Sequence, residues 1–360
     1  MTKNTIWDNN PTVFADFHAD YYTNYAKPLA EDNINDRTKH QFDILKDIIE
    51  IANERKSPLL FAGDFFNERG QVDVRVYNRA ISTLQELLRV PMLMVAGNHD
   101  QIDNSPVPET SVDSFPYINL KNPSGEIKVF KTVQRVSYGN TYYDMLPYTE
   151  SVEDFKEALK GLVAIPKDPE YNYILVAHVG VDGAKNGKYN HRLGGAYGIG
   201  DLYPDYYDQI FVGHYHDRQK LAPNAVYVGS TIPNSFNDEG HSKGIYLYDG
   251  EAKVAKYKSL PSKKFITLNT SEVDKEALTP DFLSQNYYKI ISNSLDEIKE
   301  LQQESLDDSV AVNFEVKAEV KTESRLGIDP QAGAKDIVKA YTTQYYPEVT
   351  DKALQILGEI

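Results

Sequence analysis

The stretch MLMVAGNHDQID, Met92–Asp103, decides how the rest of the chain is read. Its apolar start, Met92–Ala96, has the composition of a buried strand. It stops at Gly97-Asn98-His99-Asp100, mostly residue types that strands avoid. An amide, an imidazole and a carboxylate where a buried strand ends suggest a binding crevice, because open α/β sheets hold ligands beyond the carboxyl ends of their strands.

Outward from this stretch, strand-like and helix-like segments alternate. Val76, Ala80, Leu84 and Leu88 recur at helical spacing before it, and SPLLFAGDFF (Ser57–Phe66) reads as the preceding strand. Phe42, Leu45, Ile49 and Ala52 mark an earlier helix, with Asp36 placed to cap it, after a first strand PTVFAD (Pro11–Asp16). The order βαβα predicts an α/β fold with a mostly parallel, covered sheet. Further strands are predicted at Tyr171–Gly180, Asp208–His216, Asn224–Ser230 and Gly244–Asp249. The pattern shifts near Leu260. LPSKKFITL opens a segment that reads strand, helix, strand: Tyr287–Ile291, Ser294–Gln303, Val310–Val316. SRLGIDPQAG (Ser324–Gly333) reads as a linker, and Ala334–Ile360 as two short helices split near Pro347.

Composition narrows the chemistry. The 360 residues, 41% of them apolar, suffice for one large domain and a smaller one. No apolar run reaches the ~18 residues of a membrane span. The opening MTKNTIWDNNP lacks the apolar centre of a secretory signal, so a cytoplasmic location is expected, the host's if a phage encodes the chain. Cysteine is absent, so any metal must be held by nitrogen and oxygen. A formal net charge of −15 argues against coating nucleic acid through bulk positive charge, although metal ions and a local basic patch still permit a nucleic-acid enzyme.

Five of the eight histidines fall at or just beyond a predicted strand end. The groups are Asp16-Phe17-His18, Gly63-Asp64, Gly97–Asp100, Ala177-His178 and Gly213-His214-Tyr215-His216. In an extended backbone, side chains two apart point the same way, so Asp16 and His18, or His214 and His216, can each reach one ion. One such group alone is more often a cap or a satisfied core residue. All five together, if buried, cost several kcal/mol unless compensated. A pair of divalent cations is the simplest compensation. Two metals ~3.5–4 Å apart need a bridging carboxylate and further ligands on each side. Asp64 is the natural bridge. Asp16, His18 and His216 complete one site, and Asn98, His178 and His214 the other. The donor set suits manganese, iron or zinc, with manganese the first choice.

These blocks, in this order from Asp16 to His216, resemble the calcineurin-like metallophosphoesterases. A narrower resemblance rests on Gly229-Ser230, Ser235-Phe236 and Lys243-Gly244, within GSTIPNSFNDEGHSKGIYLYD (Gly229–Asp249). It is to the SbcD-type DNA repair nucleases and their phage counterparts. The resemblance implies a four-layer β-sandwich flanked by helices over residues 1–258. It also implies a small α+β DNA-capping domain over 259–325, and a helical tail over 326–360 as the segment that binds an SbcC-type coiled-coil ATPase. The implied activity is that of a two-metal, manganese-dependent DNA exonuclease or endonuclease in repair and recombination, working as a homodimer. Two such ions would bind the phosphate and acidify a water for in-line attack. His99 becomes the catalytic group that contacts the scissile phosphate or protonates the leaving oxygen, and Asp100 the residue that orients it. Asn67 stands where the cellular enzymes tend to carry a histidine linked to exonuclease activity, which leaves the exonuclease–endonuclease balance open. It can hydrogen-bond a phosphate oxygen but cannot carry a proton. Arg69 joins it as a candidate substrate-binding residue, with Arg75 and Arg79 nearby; a solvated helix face is the plainer reading.

Other features also have two readings. The 26 tyrosines, several in adjacent pairs, can stack on unpaired bases or half-bury in strands. Lys256, Lys258, Lys263 and Lys264 can track DNA or keep a domain junction soluble. His40, His191 and His241 match no ligand position and read as surface residues. Ile337, Ala340, Tyr341, Leu354 and Leu357 can pack on a partner helix or on the chain's own core. The alternative function is a calcineurin-like phosphoesterase acting on a phosphoprotein or nucleotide, which the negative charge favours. The segment after His216 and the extra C-terminal region favour the nuclease. A scaffold that only recruits an ATPase is disfavoured, because every expected ligand is present.

Overall fold

The computed structural model describes residues 7–29, 33–106, 108–187, 191–305, 312–317, 326–327 and 332–358. β1 (Thr12–Phe14), α1 (Asp36–Arg55), β2 (Leu59–Phe61), α2 (Val74–Leu87), β3 (Pro91–Val95) and β4 (Glu126–Phe130) come first, and the four strands pair in parallel in that order. A second sheet follows, from β5 (Gln134–Tyr138), β6 (Thr141–Leu146), then after α3 (Val152–Val163), β7 (Asn172–His178), β8 (Gln209–Gly213), β9 (Gln219–Ala222) and β10 (Ala225–Tyr227). Its order is β9-β10-β8-β7-β6-β5, with a parallel centre and antiparallel edges. The chain then returns to the first sheet with β11 (Gly244–Asp249) and β12 (Val254–Ser259), which add antiparallel beside β1.

Side-chain alternation explains the layering. Along β3, Met92 and Met94 join a core with the helix stripes of α1 and α2, Phe42, Leu45, Val76 and Leu84 among them. Leu93 and Val95 face the second sheet instead. Along β7, Ile174 and Val176 point between the sheets, while Tyr173, Leu175 and Ala177 pack on the outer side with Phe155 and Leu159 of α3. Strands buried on both faces read as continuous apolar runs, as parallel sheets covered by helices require. Three apolar interfaces separate four layers: helices, sheet, sheet, helices.

Local details depart from the sequence expectations. The cap of α1 is Asn35, whose Oδ1 accepts from Thr38 N–H at 2.8 Å. Asp36 turns back to accept from Lys27 N–H at 2.7 Å. Most strands are shorter than predicted, because their polar ends belong to loops. Between residues 104 and 170, where no element is predicted, lie β4, β5, β6 and α3.

The smaller unit holds β13 (Phe265–Asn269), α4 (Pro280–Ser284), β14 (Tyr287–Ser292), α5 (Leu295–Ser305) and β15 (Val312–Val316). Its three strands are all parallel and enclose Leu278, Leu283, Tyr288, Ile290 and Leu301. Arg37 of α1 joins it to the sandwich. The guanidinium lies 4.0 Å from the Tyr22 ring centre and 5.3 Å from those of Phe265 and Tyr287. It also donates to the carbonyls of Asn24 and Asn234, at 3.0 and 2.7 Å. His40 is part of this junction rather than open surface: its Nε2 accepts from Lys263 N–H at 3.4 Å. Val310 and most of Ser324–Gly333 lie outside the described residues. In the tail, α6 (Ala334–Tyr345) and α7 (Thr350–Gly358) pack chiefly on each other, leaving Ile337, Tyr341, Tyr345 and Ile356 exposed. Among the described residues no helix is long and apolar enough to cross a membrane.

Candidate metal centre

The segments just beyond β1, β2, β3 and β8, and the last residue of β7, converge. Ligand-type atoms of Asp16, His18 and His216 lie within 4.8 Å of one another, as do those of Asp16, Asp64 and His178. Asp64 Oδ2 sits 3.8 Å from His18 Nε2 and 3.2 Å from His178 Nε2. Asn98 Oδ1 is 3.0 Å from His178 Nε2 and 2.9 Å from His214 Nδ1. Two donor sets therefore share Asp64: Asp16, His18 and His216 on one side, Asn98, His178 and His214 on the other.

The buried polar groups of the cluster lack compensation. His178 Nδ1 lies 2.7 Å from the Ala62 carbonyl, which can only accept, so that nitrogen carries a proton. A neutral His178 then turns an Nε2 lone pair toward the oxygens of Asp64 and Asn98. Among the described residues, Asp16 Oδ2 and both ring nitrogens of His18 are buried without a hydrogen-bond partner. Acceptors facing acceptors need a cation or an extra proton. Burial lifts the Asp16 carboxyl to about 6 and drops His214 to about 4. Burial also opposes charging His178, but Asp64 outweighs it and raises that ring to about 9. His18 falls well below its ordinary value through burial and the neighbouring His216. The donor atoms fit divalent metal ions, with nitrogen, carboxylate and amide oxygen ligands and no sulfur.

The backbone that presents these groups is not extended. Asp16, His18, Asp64 and His214 have φ of 48°, 46°, 64° and 105°. Non-glycine residues rarely adopt positive φ, and such strain collects at functional sites. The expectation that Asp16/His18 and His214/His216 converge as i, i+2 pairs on a strand is thus replaced. β1 ends at Phe14 and β8 at Gly213, and left-handed turns aim the side chains. Close packing adds a further demand. A Cβ on Gly63, Gly97 or Gly213 would fall within His178, Asp64 or the Ala62 carbonyl respectively.

His99 stands beside both sets. Its N–H donates to Asp64 Oδ1 at 2.8 Å, and its ring meets that of His18 edge-on at 4.8 Å. Nδ1 lies 2.5 Å from the Asn67 carbonyl and donates to it, and a ligand-type atom of His99 lies within 4.8 Å of those of His18 and Asp64. Asp100 does not orient this ring. Its carboxylate accepts from the N–H groups of Gly97, Asp64 and Phe65, at 2.9, 3.0 and 2.8 Å, and so locks two loops together. The Asn67 amide donates to Asp20 Oδ2 at 2.8 Å. Arg69 Nε donates to the Gln101 carbonyl at 3.0 Å and Nη2 to Asn104. Arg75 is held by Asp73 and lies over the Tyr21 ring, away from the role of a free phosphate contact.

Residues 11–218 match the calcineurin-like phosphoesterase family. The chain belongs to this family. A protein of Invertebrate iridescent virus 3 named as a phosphoesterase, 078R, is 20% identical over 294 residues, covering 79% of this chain and 80% of its own length.

Three supports of this phosphoesterase's site were not anticipated. Tyr148 stacks on His214, with ring centres 6.0 Å apart and planes 27° from parallel. Gln41 Nε2 donates to the carbonyls of Phe17 and His18 at 2.8 and 2.9 Å, holding the first ligand loop. The signal for Gln41 is a polar residue at helical spacing from Leu45 and Ile48. Lys243 donates to the His216 carbonyl at 2.7 Å. His241 pairs with Asp217 rather than lying free on the surface.

Proposed function

We propose that this phosphoesterase is a manganese-dependent DNA nuclease. The observation that carries the reading is the convergence of seven side chains as two donor sets around Asp64, with His99 alongside. Asp16, His18, Asp64 and His216 would hold one divalent ion, and Asp64, Asn98, His178 and His214 the other. Bound there, two such ions supply Lewis-acid stabilisation of a phosphodiester and acidify a water. Asn98, being neutral, contributes a ligand oxygen without cancelling cationic charge. His99 acts on the departing sugar oxygen. Its Nδ1–H is held by the Asn67 carbonyl, so Nε2 is the ring nitrogen that would face that oxygen. Asn67 and Arg69 would have to exchange their bonds to Asp20, Gln101 and Asn104 to contact a phosphate.

Three features support the nuclease over other phosphoesterase substrates: the segment Gly229–Asp249, the small unit joined to the sandwich through Arg37, and a helical tail with exposed apolar side chains. They support DNA capping by residues 259–325 and docking of an SbcC-type ATPase on α6 and α7, in a homodimer. The net charge of −15 favours the second reading, a phosphoprotein or nucleotide phosphoesterase. Purified protein with manganese and labelled single- and double-stranded DNA, with and without the cognate ATPase, separates the two. Cleavage that requires metal is expected. Intact DNA alongside rapid hydrolysis of a phosphoprotein would transfer the assignment to the second reading.

A further inference from the structure

We propose that Lys243 is a positioning residue for the metal centre: its buried ammonium fixes the peptide of His216 and ties it to the loop that holds the small unit. The proposal rests on the two-metal reading above. The Lys243 side chain is 1% exposed. Its Nζ lies 2.7 Å from the His216 carbonyl, 2.6 Å from Asp238 Oδ1 and 3.4 Å from Asp217 Oδ1. An ammonium has three N–H groups, and each has an acceptor here. The same His216 carbonyl accepts from Ser230 N–H at 3.1 Å, so two donors pin it. Asp238 in turn uses its other oxygen on the N–H groups of Asn234 and Ser235, at 2.8 and 3.3 Å. The next residue, Glu239, accepts from Thr267 N–H and Oγ1 at 2.6 and 2.9 Å. Thr267 belongs to β13. A continuous run of bonds therefore leads from the small unit through Glu239, Asp238 and Lys243 to a metal-ligand residue.

Stability alone does not account for this arrangement. Replacing a buried ion pair by apolar groups is often neutral or stabilising. Without its ammonium, the His216 peptide keeps only the Ser230 bond and can turn the imidazole away from Asp16 and His18. Groups that hold a ligand typically change metal affinity about 10–100-fold when removed.

The test is a manganese titration of the full chain, read by the electron paramagnetic resonance of free ion. Wild type is compared with Lys243→Met and Lys243→Cys. The chain has no other cysteine. The Cys variant can therefore be alkylated with bromoethylamine in denaturant and refolded, which restores an ammonium at nearly the lysine position; wild type taken through the same cycle is the control. One ion should bind as in wild type and the other about 10–100-fold more weakly in both variants, with the alkylated protein recovering the wild-type value. Two wild-type affinities in the variants would overturn the proposal. So would a refolded, alkylated protein with native circular dichroism whose second site stays weak, which decides the matter even if the Met variant does not fold. Wild type binding fewer than two ions would instead bring down the two-metal reading, and this inference with it.

Discussion

Asp64 and His99 share one hydrogen bond yet are expected to fail in different ways. Asp64 gives one carboxylate oxygen to His99 N–H and turns the other toward His18 and His178. Asp64→Ala should therefore purify without its metals, as elemental analysis will show. His99→Ala leaves both donor sets in place, so metal content should hold while kcat falls about 10²–10⁴-fold. A third residue reports on pH. Burial, then the charge of Lys263, holds the His40 imidazole below its ordinary 6.5. The unfolded chain thus takes up this proton first as pH falls, and stability drops from about 6.5 downward toward the lowered native value. Melting temperatures at about pH 7.5 and about pH 5.5 should differ less in His40→Gln than in wild type. Residue types made the site legible in the sequence, because carboxylates, imidazoles and an amide at strand ends have few other uses. Their backbone was not legible. Nothing in Asp16-Phe17-His18 announces a φ near 48° at the first and 46° at the third. The partner of Asp100 was likewise hidden, since its hydrogen bonds run to the main chain.

At the scale of elements, the strands carry the site only because glycines let them approach. Gly213→Ala would drive a Cβ into the Ala62 carbonyl, backbone that cannot swing aside. That substitution should cost both stability and metal, seen as a lowered melting temperature and a purified protein short of ions. Gly161→Ala, in α3 where a Cβ meets nothing within 4 Å, should by contrast raise stability by about 0.5–1 kcal/mol. The buried parallel strands of both sheets were readable as apolar runs, and the stripes of α1 and α2 as helical spacing. The second sheet's edge escaped because β5 is partly exposed, with the mixed pattern QRVSY rather than an apolar run.

For the whole molecule, two ions held mostly by groups that converge only on folding should couple metal to stability. Manganese at about a hundred times its dissociation constant should add ~2.7 kcal/mol per site. That corresponds to roughly 2–4 °C per kcal/mol in a domain of this class, read by calorimetry against protein in chelator. An unchanged melting temperature would mean the ions, if present, sit on surface groups. Layer order followed from the family resemblance of the motifs, since the βαβα pattern by itself predicts only a covered parallel sheet; the parallel pairing inside the small unit did not, because three short strands separated by helices allow several orders.

Among the described residues, the two sheets end in unpaired strands at β12 and β4, and at β9 and β5. Lys256 and Lys258 project from β12, and Lys220 from β9, all exposed. Unpaired strand rims are templates for a neighbour's backbone, and lysines set along them make such stacking unfavourable. Concentrated solutions should therefore resist fibre formation until acid or heat opens the sandwich itself, and neutral substitutions along β12 are where self-assembly would begin.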